Sequence, residues 1–203
     1  MEQKVMKTFL HGTSFESGIN ILEHGLVSNK ETVWNCSDPG MIYCRDIDDQ
    51  GYDETLSLSI ESGQCTAAYQ DSKSTQIAIV RIEMSEDTAE EIVEEDISCP
   101  NMYECYQIDI DSLNELIAAG EARLYVDFYE DAYIPYLRLF YIRWTEEEFM
   151  SFDDPVLTRA KKLVSEMDTS YIVDDLMCYG ELVESSEYVP VKTNSNTVLA
   201  LAA

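Results

Sequence analysis

The chain has 203 residues and a mass of 23.2 kDa, the size of one large domain or two small ones. Its 40 Asp and Glu against 13 Lys and Arg give a formal charge of −27, yet 45% of its residues are hydrophobic and 10% aromatic, which excludes an acidic disordered chain and predicts a folded core. That charge repels phosphate backbones and excludes an ordinary basic nucleic-acid-binding surface, so a partner is expected to be a basic protein.

The opening residues Met1 to Lys7 pass into a short apolar stretch ending at His11, with neither the apolar region nor the cleavage site of a signal peptide. No apolar run approaches the ~18 residues that span a bilayer. A soluble cytoplasmic protein without a membrane partner is expected. The six cysteines, Cys36, Cys44, Cys65, Cys99, Cys105 and Cys178, include no C-x-x-C pair, and the chain has only two histidines. Reduced thiols and no metal are therefore expected.

In chain order, Lys7–Thr13 (KTFLHGT) reads as a strand and Phe15–Gly25 as a helix with apolar Ile19, Ile21 and Leu22 before a glycine stop. Gly40–Arg45 (GMIYCR) is a second strand, Asp46–Glu54 an acidic loop, and Leu56–Gln70 a helix interrupted near Gly63. Thr75–Met84 (TQIAIVRIEM) has the β-branched residues of a third strand. Glu83–Asp96 holds eight acidic residues in fourteen positions, a solvated helix or loop. Glu104–Ile110 (ECYQIDI) alternates as a fourth strand, and Asp111–Ala119 is a short helix closed by Gly120. Two aromatic-rich strands follow, EARLYVDFY from Glu121 and YLRLFYIRW ending at Trp144, for a total of six.

Beyond Trp144, Asp154-Pro155 places a cap and an N1 proline before a helical stripe of Val156, Leu157, Ala160, Leu163, Val164 and Met167, and Tyr171–Leu182 reads as a further amphipathic piece. The expected organisation is an α+β core over residues 1–144 and a helical C-terminal extension with a polar tail over 145–203, packed on or beside it.

With histidine limited to His11 and His24, no Ser/His/Asp triad is expected, and neither G-x-x-x-x-G-K-S/T nor G-x-G-x-x-G occurs. What remains is His11-Gly12-Thr13-Ser14 at the end of the first strand. A histidine there offers a ring nitrogen to a ligand hydroxyl, and a glycine lets a ligand approach backbone N–H and C=O groups. Taken in isolation, His-Gly-Thr is better read as a capped strand end with a hydrogen-bonded histidine.

The stretches FLHGTS, GINILEHGL, GMIYC, a helix ending AAY, and QIAIVRIEM together resemble the NAD-binding core of ADP-ribosyltransferases of the diphtheria-toxin and poly(ADP-ribose) polymerase type. The resemblance covers roughly Lys7 to Trp144. It implies a split mixed β-sheet of about six strands and a His-Tyr-Glu signature. In that family the His ends the first strand, the Tyr sits in a Gly-φ-Tyr-φ pattern on the second, and the Glu is carried on the fifth. His11 and Gly12 match the residues that contact the adenine-side ribose and the nicotinamide carboxamide. Thr13 falls in the same cofactor-binding stretch. Tyr43 matches the tyrosine lying against nicotinamide, and Tyr69 the second stacking aromatic.

Breaking the nicotinamide–ribose bond builds positive charge on the sugar, which a carboxylate stabilises. On the resemblance and the six-strand count, Glu121 at the head of the fifth predicted strand takes that role, with Glu104 and Glu130 as alternatives. Arg45 and Arg81 are the basic groups available to a pyrophosphate, against a plain salt-bridging role for each. The implied activity is NAD-dependent mono-ADP-ribosyl transfer to a basic, nucleic-acid-binding protein, suited to a phage or mobile-element effector. A different class of function, a non-catalytic acidic protein that mimics nucleic acid on the same fold, fits the charge as well.

Overall fold

The computed structural model describes residues 5–28, 38–70, 72, 74–96, 105–130 and 181–190. Strand β1 (Met6–Ser14) ends on Ser14, whose hydroxyl accepts from the Ser17 N–H at 3.2 Å and so caps α1 (Phe15–His24). The helix stops at Gly25, whose φ of 79° suits a residue without Cβ. After β2 (Met41–Asp46), the Asp46 carboxylate accepts from the Asp48 N–H and starts a one-turn helix, α2 (Ile47–Gln50), inside the stretch expected to be an acidic loop. Helix α3 (Tyr52–Tyr69) continues unbroken through Gly63.

Strand β3 (Gln76–Ser85) passes through the Ser85 cap into α4 (Glu86–Ile92) and then into a three-residue strand, β4 (Val93–Glu95), that was not expected. Next come β5 (Tyr106–Asp109), α5 (Ile110–Ala119) and β6 (Ala122–Glu130). Asp109 caps α5, and its carboxyl is held below the ordinary carboxylate range by the backbone N–H and hydroxyl of Ser112. The last described strand is β7 (Glu181–Glu187).

The sheet order is β4-β5-β2-β1-β3-β6-β7, and every pairing is antiparallel. The expectation of an α+β fold holds, and the expectation of a mixed sheet is corrected. Parallel neighbours need a crossover between hydrogen-bonded strands, and here each neighbouring pair runs in opposite directions. The strand count also changes. β4 and β7 are added, while the predicted strand at 136–144, the Asp154-Pro155 helix and most of the C-terminal extension lie outside the described residues. Glu181 and Leu182, expected at the end of a helix, open β7 instead, so this part of the chain belongs to the sheet.

Two hydrophobic clusters explain the pattern of β3. Ala78, Val80, Ile82 and Met84 join Phe9, Ile42, Leu113, Leu124, Val126 and Phe128 beneath α1, α4 and α5, where Phe15 packs on Phe128 with ring centroids 5.1 Å apart. Ile77 and Ile79 face the other way, with Leu10, Ile60, Ala67 and Tyr129 beneath α3. With both faces covered, Ile77 to Val80 is an uninterrupted buried apolar run instead of an alternating one.

At the β7 edge, Arg81 Nε donates to the buried Asp127 carboxylate at 2.8 Å, and its guanidinium also meets Glu83, Ser185 and the Tyr125 ring. These partners keep the Arg81 charge in place although burial opposes it. No described helix is long and apolar enough to cross a membrane.

Candidate functional site

The sheet is split. The backbone ladder joining β1 to β2 consists of Phe9↔Asp46 and Leu10↔Arg45, whereas β1 pairs with β3 all the way from Met6↔Ser85 to Ser14↔Ile77. Beyond Leu10, the β2-facing edge of β1 has no ladder partner among the described strands. Extending the register would set Cys44 across from His11 and Tyr43 across from Gly12.

In place of that next backbone pair stands a side-chain bond. His11 Nδ1 lies 2.6 Å from the Tyr43 carbonyl oxygen, which can only accept, so Nδ1 carries the hydrogen and the neutral ring offers Nε2 as an acceptor. The half-buried imidazole is held below its ordinary value of 6.5, chiefly by burial and further by the Arg45 charge, with the Tyr43 carbonyl opposing. The Tyr43 hydroxyl accepts from the Asp38 N–H at 2.6 Å, which ties the ring back to the segment entering β2.

Above about pH 6.5 folded and unfolded chains both hold a neutral His11, so pH has no effect through this group; below it the unfolded chain takes a proton that the folded one resists. Stability measured by urea unfolding should therefore fall between about pH 6.5 and pH 5, before most carboxylates titrate. His11→Gln should flatten that slope, and equal slopes in both proteins would contradict it.

Helix α3 forms the floor. A Cβ built on Gly12 would lie 1.7 Å from the Ser59 carbonyl oxygen and 2.6 Å from the Gly63 nitrogen. Gly12 thus has a packing reason to be glycine, independent of any ligand. The far end of the helix is tied to β1 through Gln70, whose side-chain oxygen accepts from the Ser14 hydroxyl at 2.5 Å. Thr13 is buried beside Gly63, and Tyr69 is the last residue of α3.

Arg45 leaves the ladder on the α3 side, where its Nη1 donates to Ser62 Oγ at 3.3 Å and its Nε is buried without a hydrogen-bond partner. Lys7 lies at the closed end of the split, bonded to Asp46 and Asp48 at 2.9 Å each, and these carboxylates raise its pKa.

His11, Gly12, Thr13 and Tyr43 therefore meet at the split, and Glu121 does not join them. His11 pairs with Val80 and Val80 with Val126, whereas Glu121 precedes Ala122. Glu121 is five residues from the Val126 level, about 16 Å of extended strand, and on the far side of β3. Glu130 is displaced toward the opposite end of β6, where it accepts from Gln76 at 3.1 Å. Glu104 lies outside the described residues. The strand it leads into, β5, pairs with β2, and Gln107 stands directly opposite Tyr43.

Sequence reading missed Gln107, Ser62 and the Ser59 backbone. None belongs to a motif, and only the register and the seat of α3 bring them to the split. Among the described residues no group of three or more His, Cys, Asp or Glu is placed to hold a metal ion.

Set against known proteins, the chain matches no family model, and neither a curated protein nor a solved structure matches it.

Proposed function

We propose that the chain is a NAD-dependent mono-ADP-ribosyltransferase that works at the split between β1 and β2. The observation that carries the reading is the bond between His11 and the Tyr43 carbonyl. Two residues 32 positions apart, singled out by a short motif each, are joined where the ladder opens.

In this reading Nε2 of the neutral His11 accepts from a ribose hydroxyl. The β2-facing edge of β1 at Gly12 offers backbone groups to the nicotinamide carboxamide, and the Tyr43 ring supplies a flat face to the heterocycle. A glutamate stabilises the positive charge that builds on the ribose as the nicotinamide bond breaks. An acceptor nucleophile then bonds to that carbon, nicotinamide leaves, and the acceptor's proton passes to solvent.

For the glutamate, the added strand β4 makes β5 the fifth strand, and Glu104 stands two residues ahead of it in sequence. That favours Glu104 over Glu121, which stands before the sixth strand. The acceptor is a protein with a basic surface, drawn in by the acidic field.

Incubating the protein with NAD and a cell lysate should release nicotinamide and leave a single ADP-ribose adduct, detected by intact mass. NAD alone should raise the melting temperature, by linkage of a ligand to the folded state. No adduct, no nicotinamide and no thermal shift would remove the transferase reading.

A second reading, an acidic interaction protein, is favoured by one observation: Glu86, Asp87, Glu90, Glu91, Glu94 and Glu95 are all exposed along α4 and β4 at one edge of the sheet. It predicts capture of a basic protein with no response to NAD.

A further inference from the structure

Two arginines rise from neighbouring regions of the sheet, and their surroundings differ. An arginine grips an oxyanion side-on through Nε and Nη2, which lie parallel on one edge of the guanidinium. In Arg81 that edge is filled, with Nε donating to Asp127 Oδ2 at 2.8 Å and Nη2 facing Oδ1 at 3.4 Å. In Arg45 no carboxylate occupies the same edge among the described residues. Nη1 is anchored on Ser62, while Nε is buried with no hydrogen-bond partner. No carboxylate pairs with Arg45 among the described residues, in a chain with 40 acidic residues against 13 basic ones.

A buried unpaired N–H on a charged group is costly, and in a native protein it calls for an explanation, of which an acceptor supplied by a bound ligand is one. That edge belongs to the residue at which the β1–β2 ladder stops, one step from Cys44 and two from Tyr43. The Arg45 charge is felt at His11.

We propose that Arg45 is the oxyanion-binding group of the split, held in place by Ser62 and gripping a phosphate side-on through Nε and Nη2. The phosphate is taken to be the pyrophosphate of the dinucleotide, a choice that rests on the transferase reading; the oxyanion site rests on the buried Nε that lacks an acceptor. The arrangement answers how an anionic ligand is held by a strongly anionic protein. One fixed positive charge, kept clear of carboxylates, lies beside the groups that bind the rest of the ligand. Arg81, saturated by Asp127 and Glu83, has no part in it.

The test titrates inorganic pyrophosphate and, separately, NAD into the full chain and its Arg45→Lys, Arg45→Gln and Arg123→Gln variants, each first checked for cooperative melting. Arg123 is an exposed control. Pyrophosphate should stabilise the wild type and Arg123→Gln, and its affinity should drop about tenfold or more in both Arg45 variants, since lysine keeps the charge and loses the fork. Should neither Arg45 variant fold, Ser62→Ala, which releases Nη1 alone, should weaken pyrophosphate binding by a smaller factor.

Absence of pyrophosphate binding by the wild type, or equal binding by the variants, overturns the proposal. Pyrophosphate bound through Arg45 with no release of nicotinamide from NAD keeps the oxyanion site and removes the transferase reading. Release of nicotinamide with the same KM for NAD in Arg45→Lys does the reverse.

Discussion

Replacing Gly12 by alanine is expected to cost the protein about 3 kcal/mol or more, at the upper end of what overpacking a core does. The three atoms a new methyl would meet, the Ser59 carbonyl oxygen at 1.7 Å, the Gly63 nitrogen at 2.6 Å and the Ser59 carbonyl carbon at 2.7 Å, are all backbone of α3. No rotamer change relieves them, so the helix itself must lift off β1, and with it Ile60 and Ala67 from their contacts over Leu10, Ile77 and Ile79. Gly51→Ala is the fitting comparison. Its φ of 86° makes alanine unfavourable, yet nothing lies within 4 Å of the added methyl, so about 1 kcal/mol is expected from backbone strain alone. Chemical denaturation of both variants measures the difference. Equal losses would mean that α3 does not sit on β1 as described. The same packing disqualifies Gly12 variants as probes of ligand binding, because lost binding would report a displaced helix.

Glu104→Gln is expected to lower transfer from NAD by about a hundredfold or more, the scale of removing one group that stabilises transition-state charge, with little change in melting temperature. Glu121→Gln and Glu130→Gln should stay within a few-fold of the wild type. Glu121 precedes β6, and Glu130 has the Gln76 amide to lose and no part in the split. Rates of nicotinamide release for the three variants, measured side by side, decide the matter. Loss confined to Glu121→Gln would return the role to that residue and refute the assignment by strand count.

Much of this fold was legible because its local signals agree with its packing. The β-branched run of β3 and the glycine stops at Gly25 and Gly120 predict the elements found, and the Ser14 and Asp109 caps in the structure agree with them. The places of His11 on β1 and Tyr43 on β2 were legible as well, since each sits in a short motif. Their bond across the split was not, because it depends on where a ladder ends.

The three-residue β4 was missed because Val93-Glu94-Glu95 has no alternating pattern of its own and pairs only by meeting β5. That omission shifted the strand count by one, and it is on that count that the sequence reading chose Glu121. Arg45 and Arg81 look alike in sequence. Only the register, which sets Asp127 within reach of Arg81 and Ser62 within reach of Arg45, tells a guanidinium paired with carboxylates from one that is not.

β7 has a consequence for how the chain folds. Its partner β6 ends at Glu130, so residues 131–180 must be synthesised before Tyr125 can meet Glu187 and Val126 can meet Ser186. Every other neighbouring pair can form from the first 130 residues. The sheet up to β6 can thus assemble on the emerging chain with Asp127 held by Arg81, while the outer backbone edge of β6 waits. Contacts of such wide sequence separation form late and slowly, and an uncovered strand edge is a template for the wrong partner. Arrival of Ser185 at Asp127 and of Tyr188 over Gly25 closes that edge, which makes β7 the kinetic seal of a core built before it.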